Sequence, residues 1–212
     1  MMKSLHALLV VLVVGTCALA AQSQEGPTIP DLPDVNRELL ELVAADQWDR
    51  GVDMFSGRQV KSPESLDWQQ IGARDAERKK AVRALLSSGR IRSGREYRFA
   101  ALIFQHSGDP ADLAMAHVLA TTAAVKGNAE ARWLAAASLD RLLWNLDRPQ
   151  VFGTQFTQDP QGGWTMDPYD RESIPDTIRA AWCVVSSADQ ARILRELQSG
   201  TGTPATNIPD CR

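Results

Sequence analysis

The sequence predicts a mainly α protein: antiparallel helical hairpins followed by one short β-hairpin after the central helices. Three observations carry this. Apolar residues recur at helical spacing from about residue 34 to 146. The central helical stretches are separated by only a few Gly, Asp, Asn and Pro residues, which forces neighbouring helices to run antiparallel. After Pro149 the period changes, and a strand-like run is followed by turn chemistry. At 212 residues, 44% of them hydrophobic, the chain suits one domain and is too apolar for disorder. A formal charge of −3 lacks the basic footprint of a nucleic-acid binder.

The first 20 residues read as a signal peptide. Lys3 precedes the apolar run Ala7–Val14, then Gly15 and Thr16 lead into Ala18-Leu19-Ala20, with cleavage expected before Ala21. The protein is therefore expected to be exported, periplasmic or secreted. Lipid attachment at Cys17 is the lesser alternative, because Thr16 stands where Gly or Ala usually precedes a lipidated Cys. No apolar run in the mature chain is long enough to span a membrane. Loss of Cys17 leaves Cys183 and Cys211, which in an oxidising compartment form either one disulfide or a buried and a loose thiol. A bridge closing that loop would contribute about 3–4 kcal/mol.

Residues 21–33 are rich in Gly, Pro and polar residues, and read as a flexible linker. The domain then runs over 34–199. Asp34 is the expected cap of a first helix with Val35, Leu39, Leu42 and Val43 inside, fading near Trp48–Gly51. Residues 51–66 form a long loop. A second helix, about Asp67–Leu86, buries Ile71, Val82, Leu85 and Leu86, with Arg74 to Lys80 as a solvated charged face. Gly89 suits the left-handed position that ends it.

Tyr97–His106, Ala111–Lys126 and Ala129–Leu146 are the central helices. The stripe Ala116, Ala120, Ala124 lets helix axes approach closely. Gln150–Thr157 is expected as a strand, Asp159–Gly163 as its turn and Trp164–Met166 as the return, a β-hairpin near 150–167. Phe152 and Phe156 would share one face and dock it. Helices at 175–184 and 187–198 follow, the latter capped by Ser187 and closed by Gly200, and 200–212 is a C-terminal tail.

The junction Ala123–Ala131 resembles the helix-to-helix turn of tetratricopeptide-like repeats. More specifically, Gln105-His106, Leu139-Asp140-Arg141 and Pro149-Gln150-Val151-Phe152-Gly153-Thr154-Gln155 resemble the Q-H, D-R and P-Q-x-[F/Y]-G-T-Q pattern of an uncharacterised bacterial exported helical domain family, over roughly Asp46–Leu197. The resemblance implies a single helical domain and marks Gln105, Arg141, Gln150, Thr154 and Gln155 as candidate ligand contacts. It implies no activity.

Three titratable groups fall on apolar stripes. His106 is in register with Phe99, Leu102 and Ile103, and His117 with Leu113, Ala116 and Ala120. Asp140 falls at the margin of the Leu139/Leu142/Leu143 face. Counting outward from the turns puts His106 and His117 ~9 Å apart in depth but His117 and Asp140 within ~3 Å. A His117–Asp140 pair would orient an imidazole for catalysis or simply satisfy a buried histidine. The sequence lacks H-E-x-x-H, paired C-x-x-C, Walker and G-x-S-x-G motifs, and no metal or cofactor is expected. Asp167, Asp170 and Glu172 read as a solvated loop.

The expected function is a binding or scaffold module for a peptide or envelope protein. The alternative is a small hydrolase-like enzyme, with His117 and Asp140 as base and orienter and Gln150 or Gln155 touching substrate. Convergence of these groups on an open pocket separates the two readings.

Overall fold

The computed structural model describes residues 26–202. These residues contain seven α-helices and one two-stranded sheet: α1 (Arg37–Asp49), α2 (Trp68–Ser87), α3 (Gly94–Phe104), α4 (Pro110–Val125), α5 (Ala131–Asn145), β1 (Thr157–Gln158), β2 (Trp164–Thr165), α6 (Asp176–Ala181) and α7 (Ser187–Gln198). The mainly α class with one short hairpin after the central helices is what the periodicity indicated. The signal segment, Cys17 and Cys211 lie outside the described residues. Cys183, the other end of the expected bridge, is buried.

The helices begin where side chains satisfy their first amides. α1 is capped by Asn36 rather than Asp34, because Asn36 Oδ1 accepts the Leu39 N–H at 3.1 Å. Asp67, expected as the first residue of the second helix, is instead its cap, accepting the Gln70 N–H at 3.0 Å. α3 starts three residues before Tyr97 on a capping box, in which Ser93 accepts the Glu96 N–H and Glu96 accepts the Ser93 N–H. Ser186, not Ser187, caps α7.

α4 packs between α3 and α5, and the links 105–109 and 126–130 fold each helix back along the one before it. Close approach rests on fully buried alanines: Ala100 and Ala101 on α3, Ala116, Ala120 and Ala123 on α4, and Ala131, Ala135 and Ala136 on α5. The stripe therefore turns through Ala123, while Ala124 is only half-buried. Gly94 is required in this contact, since a Cβ there would lie 2.9 Å from the Ala123 carbonyl oxygen. α1 and α2 close the core with Leu39, Leu40, Val43, Val82 and Leu85.

Two expectations need correction. The basic stretch of α2 is not wholly a solvated face, because Arg78 is buried and binds Asp75 at 2.9 Å and Asp49 more closely still. Lys79 and Arg83 reach across to Asp112 of α4, each at 2.5 Å. Residues 150–156 are not a strand either. The two-stranded pairing is confined to Thr157–Gln158, antiparallel with Trp164–Thr165, and Gln150 makes a single parallel bridge to Tyr169. The preceding segment is an irregular loop, because Gly153 takes φ +70° and the loop's amides are claimed by side chains. Phe152 is buried against Trp182, with ring centroids 5.4 Å apart, whereas Phe156 is half-buried.

Glu96 ties α1 to α3. Its Oε1 accepts the Asn36 N–H at 2.8 Å and its Oε2 the N–H groups of Ser93 and Arg92 at 2.8 and 2.9 Å. Burial alone would raise the Glu96 pKa, but the backbone N–H groups of Ser93, Arg92 and Asn36 outweigh it and hold the carboxyl below its ordinary value. That stabilisation is fully present above the unfolded-state pKa of about 4.3, and is lost as pH falls through the lower folded value. Glu96→Gln should therefore melt several degrees below wild type at pH 7. The difference should shrink on acidification, as read from denaturation midpoints between pH 7 and pH 3.

Candidate functional site

The centre of the site is a buried carboxylate that no cation touches among the described residues. Asp140 lies in the second half of α5 and is fully buried. Its Oδ1 accepts the N–H groups of Val151 and Phe152 at 2.8 and 2.9 Å. Its Oδ2 accepts the Thr154 N–H at 2.9 Å and the Thr154 hydroxyl at 2.8 Å. These four donors wrap residues 151–154 around one side chain. An unpaired buried ion costs several kcal/mol, and the four donors that converge on these oxygens offset that cost.

Glutamines close the loop from within. Gln150 Oε1 accepts the Gln155 N–H at 2.9 Å, while Gln150 Nε2 donates to the Gln155 carbonyl at 3.0 Å and to that of Met166. From behind, Gln190 Nε2 donates to the carbonyls of Phe152 and Gly153 at 2.6 and 2.9 Å. The fully buried Arg179 also donates to the Phe152 carbonyl, as well as to Gln190 and the Tyr169 hydroxyl. Tyr169 and Met166 press on the left-handed Gly153, where a Cβ would come within 2.6 Å of Tyr169 Cζ.

The front of the loop faces Arg141. Gln155 Oε1 accepts from Arg141 Nε and Nη2, both at 3.2 Å, and Gln155 Nε2 donates to Thr154 Oγ1 at 2.9 Å. Arg141 Nη1 donates to the Gln105 carbonyl at 2.5 Å and to Gln105 Oε1 at 3.2 Å. The Gln105 amide in turn lies 3.1 Å from His106 Nε2, which also meets Gln47 at 3.4 Å and Asp46 Oδ2 at 3.5 Å. Asp46 is bound by Arg50 at 2.7 Å, and Arg50 by Asp75 at 2.5 Å.

The electrostatics of this end are opposed. Burial pushes the Asp46 pKa up to about 6, against the pull of Arg50. His106 is driven well below its ordinary value, first by burial and then by Arg50, Arg141 and Arg78, so its ring is neutral at neutral pH.

The structure thus brings Gln105, His106, Asp140, Arg141, Gln150, Thr154 and Gln155 into one hydrogen-bonded seam. It does not bring His117 to Asp140. His117 Nδ1 meets the Ala135 carbonyl at 2.9 Å, and both Asp140 oxygens are filled by loop donors. The base-and-orienter pair is therefore withdrawn: its carboxylate is sealed in the loop. Gln150 and Gln155 are buried fasteners rather than exposed contacts. Gln105, His106 and Arg141 are half-buried. Among the described residues no group of His, Cys, Asp and Glu could hold a metal. Two open clefts lie away from this seam: one of about 570 Å³ over Leu42, Ala73 and Ala81, and one of about 420 Å³ between Val35, Arg90 and Glu96.

Asp46, Arg50, Arg179, Tyr169 and Gln190 were missed. Asp46 follows Leu39 and Val43 at helical spacing, and Gln190 precedes Ile193 and Leu197 in the same way, so both lay on legible buried stripes. Arg179 in a short helix left no such trace.

Comparison with protein-family models, curated proteins and solved structures returned no match to this chain.

Asp140→Asn keeps the shape but turns one donor toward the loop's own donors. It should cost about 2–4 kcal/mol, read as a drop of several degrees in Tm. Phe152→Ala should cost about 3–4 kcal/mol through the cavity beside Trp182. Gln155→Ala should cost less than either. A Gln155→Ala protein that melts as low as Asp140→Asn would make the amide, not the carboxylate, the organiser of the loop.

Proposed function

We propose that this chain is an exported helical binding module for a peptide or envelope protein. Its site is the corner where the end of α3, the second half of α5 and the 150–155 loop meet. The observation that carries this reading is the half-open position of Arg141 and Gln105 against a loop fastened from behind by Asp140, Gln150, Arg179 and Gln190. A scaffold so heavily cross-linked presents its front groups with little conformational freedom, which lowers the entropy lost on binding. Export is supported by the leader-like residues 1–20.

Two measurements test this. Affinity capture from an envelope fraction should recover a partner with wild type but not with Arg141→Gln, when both proteins have the same circular dichroism and melting behaviour. Equal capture by both would remove the corner as the site. Intact-mass analysis of the unreduced, exported protein should give a chain starting at Ala21 and two hydrogens lighter than the dithiol form. A mass including residues 1–20 would overturn export by cleavage, and two free thiols would overturn the Cys183–Cys211 bridge.

A further inference from the structure

Arg141 carries a positive charge that the described residues leave without an opposite charge in contact. Its four hydrogen bonds all go to neutral oxygens, those of the Gln155 amide, the Gln105 amide and the Gln105 carbonyl. Arg50, Arg78 and Arg179, also well buried, each lie against a carboxylate. A guanidinium has five N–H donors, so one N–H on Nη2 has no acceptor among the described residues. Asp140, next in sequence, does not supply the missing charge. Its oxygens are taken by loop donors, and the Thr154 hydroxyl and Gln155 amide link it to the guanidinium. Burial is accordingly the sole cause that lowers the Arg141 pKa.

Two neighbours complete the corner. The His106 side chain is 21% exposed, and Gln105 bridges its ring to Arg141. About one turn beyond Arg141 come Trp144 of α5 and Leu146, the residue that caps it, which are 37% and 51% exposed. The Asp46, Asp49 and Asp75 carboxylates behind His106 are already matched by Arg50, Arg74 and Arg78. In contact with the corner the unmatched charge is therefore that of Arg141, beside exposed apolar surface, while the exposed Asp147 and Arg148 just beyond Leu146 carry one charge of each sign.

We propose that the Arg141–Gln105 corner recognises the C-terminal carboxylate of a peptide whose last, apolar side chain lies on Trp144. This rests on the binding-module reading and names the group that the site takes. One surplus cation suits a monoanion; a phosphate dianion would leave a charge unmatched. The free Nη2 N–H gives the carboxylate one charge-assisted hydrogen bond, with the guanidinium charge behind it. Filling the site places a negative charge near His106, which faces Asp46 and Gln47 of α1, Arg50 at its C-terminal cap, Arg78 of α2 and Arg141 of α5. Bound carboxylate therefore raises the His106 pKa, and by linkage the peptide binds more tightly as pH falls toward the histidine's titration.

The test is an NMR titration of the labelled mature protein with three probes: acetyl-Ala-Ala-Phe as the free acid, the same peptide as its C-terminal amide, and acetate. The free acid should shift the Arg141 side-chain N–H and the His106 ring resonances saturably, and should bind at least about tenfold more tightly than the amide. Acetate should move the same resonances more weakly. Arg141→Gln should abolish the difference between acid and amide, and Arg141→Lys should retain part of it. In wild type the His106 titration midpoint should rise on saturation with the acid.

Equal affinity for acid and amide overturns carboxylate recognition yet leaves the module reading standing, since the peptide still binds. Shifts confined to other parts of the protein, or no binding by any probe, also overturn it. The Arg141-dependent envelope capture then decides the module reading separately. Acetate binding as tightly as the free acid would replace the peptide terminus by a small free carboxylate as the source. Displacement of the acid by an equal concentration of inorganic phosphate would overturn the monoanion assignment.

Discussion

The structure around residues 150–155 depends on one buried carboxylate. A loop of this length would normally satisfy its amides with water or a neighbouring strand. Here Asp140 replaces both, and three backbone N–H groups and one hydroxyl converge on its two oxygens. Because the carboxylate projects from the rigid α5, the loop inherits the position of the helix. The cost of burying the charge is met only when all four donors are in place, which makes the arrangement close to all-or-none. Gly153 follows from the same constraint. The chain must turn left-handed there to aim the Thr154 donors back at Asp140, and Tyr169 leaves no room for a side chain.

The charge of Arg141 is the complement of that of Asp140, yet the two do not touch. A relay joins them: the Thr154 hydroxyl donates to Asp140, Gln155 Nε2 donates to the hydroxyl, and Arg141 donates to Gln155 Oε1. From Arg141 the seam continues through Gln105 to His106, Asp46, Arg50 and Asp75. The dipeptides Gln105-His106 and Asp140-Arg141 and the Gly153-Thr154-Gln155 turn are thus three pieces of one hydrogen-bonded line. That line links the first two helices to the loop across the ends of α3 and α5. It accounts physically for why these residue types stand together, independently of any ligand.

Much of the helical frame was legible because periodicity and capping are local. The second helix was placed to within one residue at each end, and the Ala-rich centre was recognised as close-packed helices. What escaped was non-local. Residues 150–156 carry strand-like composition, but their amides answer to a side chain on another element, and no propensity records that. The His117–Asp140 pairing failed for a related reason. Counting residues from a turn gives depth along an axis, not the direction a side chain faces. His117 turns to the Ala135 carbonyl, and Asp140 turns to the loop. Arg78 was assigned to solvent because its own helix is charged around it. The acids that bury it, Asp49 among them, come partly from α1.

The two ends of the seam are built on opposite electrostatic principles, and this gives the corner between them its character. At the loop end, a lone carboxylate is held by dipoles, with no cation in contact. At the α1–α2 end, carboxylates and guanidiniums are matched in contact, although burial still leaves Asp46 with a pKa of about 6. Arg141 sits where the two regimes meet and belongs to neither. It is too far from Asp140 to pair with it, and its bonds to Gln105 and Gln155 fix its plane without neutralising it. His106, kept neutral by burial and by the arginines around it, adds no competing charge on that side. A guanidinium held in one orientation by neutral acceptors keeps most of its field directed outward, because amide oxygens offset far less charge than a carboxylate would. The loop and the ionic cluster thus fix the position of Arg141 from two sides while leaving its charge unspent.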